Sequence, residues 1–167
     1  ADLDAALGIS SINASVIEFD FVPLTDYVSF NYLFASNEYQ LYYPCQYSDG
    51  FAFLIKEKGS TTPYKNLAVI PETTIPVAST SVHPLINPIS NGNSTTSGCP
   101  AQNEIYFGGY NQSNSPINYA GQTKVLTAET KVTAGKTYHI KLVVADDREE
   151  VFDSAVFIEA GSFSSKI

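Results

Sequence analysis

Residues 144–160 read VADDREEVFDSAVFIEA: an apolar run, an acidic break, then an apolar run again. The two flanks have strand lengths, so the stretch predicts strand, turn, strand. Asp146, Asp147, Glu149, Glu150 and Asp153 fall within eight positions. Carboxylates that close repel one another, so either water screens them or a cation neutralises them. Upstream, Ser48-Asp49-Gly50 is a second acidic turn leading straight into an apolar run, and Glu38 lies shortly before it.

Working outward, the same alternation recurs. Residues 14–22 put Ile17, Phe19 and Phe21 on one face and Val16, Glu18, Asp20 and Val22 on the other. After a turn at 23–26, residues 27–35 alternate again, which predicts a hairpin with one wet face. Glu18 and Asp20 are expected to face solvent or to pair with a base on a neighbouring strand. Residues 51–56 are apolar almost throughout and predict a central strand, and residues 67–70 a short one stopped by Pro71. Segments 123–128, 137–145 and 154–160 complete the set.

The first 13 residues have a weak helix-like start, but no convincing amphipathic helix and no internal repeat is found. From Pro76 to about residue 118 there is no periodicity, only Pro, Ser, Thr, Asn and Gly around an aromatic knot at Tyr106, Phe107 and Tyr110. A stretch that long in a compact domain is functional or disordered. Seven or eight strands with polar turns imply an all-β fold. The expected form is an antiparallel two-sheet β-sandwich, jelly-roll-like, with one long irregular loop. The whole chain, residues 1–167, is expected to be one domain.

At 167 residues the chain is long enough to bury a proper core. Hydrophobic residues at 44% against charged ones at 16% mark it as ordered. Its 11 Tyr and 10 Phe suit half-buried strands. A net charge of −8 argues against nucleic acid, which needs Lys and Arg to displace counterions. No run of apolar residues is long enough for a membrane-spanning helix, so no direct membrane insertion is expected. With no Met and no visible signal peptide, the chain reads as a processed product or a monomeric module of something longer. Cys45 and Cys99 have no metal-ligand spacing; outside the cell they would pair, and inside it they would be inert thiols.

Several blocks together resemble the choice-of-anchor L domain of bacterial extracellular proteins. They are ASVIEFDFVP (14–23), FASNEY (34–39), DGFAFL (49–54), YHIKLVVAD (138–146) and DSAVFIEA (153–160). The resemblance implies secretion or surface display and no general enzymatic activity. It makes a Cys45–Cys99 disulfide the expectation. The chain departs from the family pattern at Asn37, Ser48 and Ala120, while Glu38, Asp49, Asp146 and Asp153 remain in place.

Calcium takes six to eight oxygens in flexible geometry, and acids converging from separate turns at one end of a sandwich would provide them. The expected ligands are Glu38, Asp49, Asp146 and Asp153, with Asp147 assisting; the plainer alternative is a solvated acidic turn. Tyr39, Tyr42, Tyr43 and Tyr47 crowd the adjoining loop. Tyr is enriched at binding surfaces because it offers large area at little entropy cost. These tyrosines are expected to bind a carbohydrate or peptide on a cell or matrix surface, or else to cover the core.

Neither His83 nor His139 sits in a nucleophile-elbow or zinc pattern, so no enzyme is expected. The sequence thus predicts a calcium-stabilised, secreted binding or adhesion module of a larger bacterial surface protein. The alternatives are a spacer domain in an adhesin stalk and, further off, a glycan-active enzyme.

Overall fold

A strand that is apolar at nearly every position has to be covered on both faces. The computed structural model, which describes residues 1–92, 94–147 and 151–163, shows how this is done. The chain runs through a short helix α1 (Asp2–Leu7), β1 (Ser11–Phe21), β2 (Tyr27–Ser36), β3 (Gly50–Glu57) and β4 (Lys65–Asn66). It continues through β5 (Ile89–Asn91), β6 (Ser94–Thr96), β7 (Phe107–Tyr110), β8 (Gly121–Thr123), β9 (Leu126–Lys131), β10 (Tyr138–Asp147) and β11 (Ser154–Ile158). One antiparallel sheet has the order β1-β10-β3-β4, and the facing sheet the order β11-β2-β8-β7, with β9 also paired to β2. The fold is an all-β antiparallel sandwich.

β3 lies between β10 and β4 and turns Phe51, Phe53 and Ile55 towards the facing sheet. There they meet Phe30, Tyr32 and Phe34 of β2, with ring centroids 4.9 Å apart for Phe30–Phe53 and 4.8 Å for Tyr32–Phe53. Burying each such side chain contributes about 1.5–3 kcal/mol, so this aromatic row is the main stabilising layer. The other face of β3, Ala52 and Leu54, joins Val143 and Ala145 of β10 beneath Leu3 of α1. A six-residue helix is thus enough to close the second face.

The proposed β1–β2 hairpin does not form. β1 pairs with β10 and β2 with β9 and β11, so the turn after β1 carries the chain from one sheet to the other. Nor is β2 wet on one face, since Ser29, Ala35 and Ser36 are buried along with its aromatics. Glu18 and Asp20 do find bases. Glu18 reaches Lys141 Nζ at 3.3 Å and His139 Nε2 at 3.4 Å, while Asp20 meets His139 Nδ1 at 2.6 Å and also Lys58.

Residues 67–70 are buried at Leu67, Ala68 and Ile70 but are not a strand. Asn66 Oδ1 accepts the N–H groups of both Phe53 and Ala68, so a side chain replaces the backbone ladder there. The expected strand at 123–128 is split into β8 and β9, because the Lys124 N–H turns aside to the Tyr106 carbonyl.

The long loop is ordered from within. Val77 and Val82 enter the core, His83 and Gln102 exchange backbone hydrogen bonds, and Ile86 and Cys99 do the same. Cys45 and Cys99 form a disulfide with an S–S distance of 2.07 Å across 54 positions. Closing a loop of that length restricts the unfolded chain by about 4 kcal/mol in the chain-entropy account. The double variant Cys45→Ser/Cys99→Ser should lose on the order of 2–5 kcal/mol in denaturant unfolding. A loss below about 1 kcal/mol would mean the loop's own ladder already holds it.

Candidate functional site

β2, β3, β10 and β11 bring one end each to the same end of the sandwich, and the acidic residues follow from that topology. β2 ends at Ser36, whose Oγ accepts the Glu38 N–H at 2.9 Å and so folds the chain back. Glu38 is only 1% exposed. Its Oε2 accepts the Asp49 N–H at 3.0 Å and lies 2.9 Å from the Ser79 hydroxyl and 3.4 Å from that of Ser36. Ser79 Oγ is equally close, 2.9 Å, to the Tyr47 carbonyl. One carboxylate thereby gathers the end of β2, the start of β3 and the first part of the long loop.

Asp49, just before β3, is 3% exposed, and its Oδ2 has no hydrogen-bond partner among the described residues. Burial pushes its pKa up to about 7. The Ser154 hydroxyl works against that, the charges of Glu38 and Asp146 add to it, and the Asp147 backbone opposes it. Asp146 is the next residue after Ala145, the β10 partner of Gly50, which sets it across the sheet from Asp49.

The remaining expected ligands are arranged differently. Asn13 Nδ2 lies 3.5 Å from Asp146 Oδ2, and the Ser10 N–H donates to Asp147 Oδ1 at 3.2 Å. Asp153 is exposed, and its backbone carbonyl accepts the Asn37 N–H at 3.0 Å. Glu149 and Glu150 lie outside the described residues. Among the described residues, no three His, Cys, Asp or Glu side chains form a ready-made metal cage. Glu38 and Asp49 therefore meet directly, Asp146 acts on Asp49 through its charge, and Asp147 and Asp153 sit further out.

The tyrosines divide. Tyr39 is 1% exposed, with its ring 5.3 Å from Phe107 and 6.3 Å from Phe34, so it is a core residue and not part of a binding surface. Its ring fits because residue 121 is glycine; a Cβ there would stand 2.8 Å from Tyr39 Cβ. Tyr42, Tyr43 and Tyr47 instead line a cleft of about 450 Å³ together with Gln46, Asp147 and Phe152. Tyr43 is its centre, 5.0 Å from Tyr42, 4.8 Å from Phe152 and 6.1 Å from Tyr47. A second cleft of about 330 Å³ is lined by Asp49 and shares Gln46, Ser48 and Asp147 with the first.

The sequence reading missed Ser79, Gln46 and Phe152. Ser79 carries no signal within a loop full of Ser and Thr. Phe152 did carry one, as a lone aromatic inside an acidic turn. Neither histidine lines the two clefts. His83 is buried, with Nδ1 2.8 Å from the Pro84 carbonyl and Nε2 3.9 Å from Cys99 Sγ, and His139 belongs to the ion pairs of β1.

The family model of the choice-of-anchor L domain matches residues 1–164. The chain belongs to the choice-of-anchor L domain family. No curated protein and no solved structure matches it. The family name implies a surface-anchored or secreted bacterial protein, and the disulfide of this choice-of-anchor L domain suits such an oxidising setting.

In this domain Asp49 has a testable signature in the absence of divalent cations. A carboxyl with a raised folded pKa costs nothing below about pH 4, where it is protonated both folded and unfolded. Between there and about pH 7 the unfolded chain releases its proton and the folded one keeps it, so stability falls as pH rises. Urea unfolding of calcium-free protein should show this decline, and Asp49→Asn should flatten it. An unchanged slope would place the effect on another group.

Proposed function

We propose that this domain is a calcium-stabilised extracellular binding or adhesion module of a larger bacterial surface or secreted protein. Its ligand, a carbohydrate or peptide, would sit in the cleft of Tyr42, Tyr43 and Tyr47. The observation that carries this reading is the unpartnered, buried Asp49 Oδ2 lying next to a tyrosine-lined cleft. A buried carboxylate oxygen with no donor costs stability unless a proton or a cation meets it. Calcium would supply that positive charge and draw Asp49 and Asp146 together.

Asp49 and Asp146 would hold the cation, with hydroxyl, carbonyl and water oxygens completing the shell. Because Asp147 follows Asp146 directly and lines both clefts, an ordered β10 end would also fix one wall of the tyrosine cleft. The reading is of a binding protein and not of an enzyme. Both carboxyls of the Glu38–Asp49 pair are covered, and Glu38 Oε2 is engaged by the Asp49 amide and the Ser79 hydroxyl.

Thermal melts in calcium, in magnesium and after chelation test the metal. Calcium at 100 times its dissociation constant should add about 2.7 kcal/mol, or roughly 5–10 °C for a chain of this size. Asp49→Asn should abolish that shift. An Asp49→Asn protein that responds to calcium like the parent would rule this site out.

A further inference from the structure

The cleft around Tyr43 has a more definite chemistry than its volume alone conveys. Its rings are held by one another and by the turn beneath them. Tyr43–Cys45 is a 3-10 turn with Pro44 in its first turn, and Cys45 is tied to Cys99. Rings fixed in advance bind without paying much conformational entropy. The cleft volume falls within the range of about 300–1,000 Å³ usual for small-ligand sites.

Besides the tyrosine hydroxyls, the polar groups among its described lining residues are Gln46, Ser48 and the Asp147 carboxylate, and these residues include no Lys or Arg. Among these described residues the charged group is the Asp147 carboxylate, which together with the chain's net charge of −8 disfavours phosphates, sulfates and uronic acids. What it favours is a ligand with apolar C–H faces for the rings and many hydroxyl donors for the carboxylate and amide. An extended peptide fits less well, because the described residues of the cleft belong to turns and strand ends and offer no strand edge for backbone pairing.

We propose that the Tyr42–Tyr43–Tyr47 cleft takes a neutral oligosaccharide, with ring faces stacked on Tyr43 and Phe152 and hydroxyls donated to Asp147. The assignment rests on the binding-module reading and names its ligand class. Asp147 is thereby a ligand-binding residue as well as a neighbour of the acidic pair.

The test is ligand-observed and protein-observed NMR on the 167-residue chain, in calcium and again after chelation. The probes are maltotriose, cellotriose, laminaritriose and mannotriose, with trigalacturonic acid and a mixed hexapeptide pool alongside. At least one neutral trisaccharide should shift the tyrosine ring signals of the cleft. Its affinity should fall tenfold or more in Tyr43→Ala and in Asp147→Asn, and remain in Tyr110→Ala. Gln46→Ala, at an exposed position, is the companion variant should Tyr43→Ala fail to fold, and a threefold or greater loss is expected there.

Trigalacturonic acid or peptides shifting the same rings while the neutral sugars do not would overturn the sugar assignment and leave the binding module standing. If no probe shifts these rings in either condition, both readings fall. Neutral-sugar binding that survives Asp147→Asn and either cleft variant overturns the placement.

Discussion

A buried carboxylate is expensive unless donors surround it, and Glu38 is surrounded. Its Oε2 takes the Asp49 amide, with the Ser79 and Ser36 hydroxyls close by, so three chain segments that share no ladder are tied to a single atom. Hydrogen bonds are stronger in a buried, low-dielectric setting than in water, which lets one side chain replace a missing strand pairing. The tyrosine loop leaves from this point and returns to it. Its cleft is therefore an outcome of the Glu38 contact more than of the tyrosines themselves.

The inner face of the sandwich shows where apolar packing stops and chemistry begins. Along β3 the inward positions read Ile55, Phe53, Phe51 and then Asp49; along β10 they read Ile140, Leu142, Val144 and then Asp146. Each strand keeps its period but changes from hydrocarbon to carboxyl at its last inward step. The two steps are opposite each other across the sheet. Charge repulsion between them is the price of a polar end to the core, and it adds to the burial that holds the Asp49 proton on.

Much of this was legible in the sequence and some was not, for physical reasons. Period-2 alternation marks a strand and its faces but says nothing of its partner. That is why β1 and β2 could be recognised as strands while their pairing was misread. The continuous run of β3 announced burial on both faces, yet the covering layer came from α1, too short for a periodic signal. The acids were visible because carboxylates seldom cluster beside apolar runs. Their separation into inner and outer ones depends on register, which sequence does not display. Tyr39 and Tyr42 look alike in sequence, and what divides them is Gly121, more than 70 positions away, leaving room for the Tyr39 ring.

The Cys45–Cys99 disulfide has a further mechanical consequence for the domain. The 54 positions it spans contain all of β3 to β6, roughly 180 Å of extended chain. If the domain is pulled from its two ends, that length cannot be released, because tension passes through the sulfur atoms. The clefts beside Cys45 then lie along a covalent shortcut that carries load past the central strand β3 even when hydrogen bonds elsewhere give way.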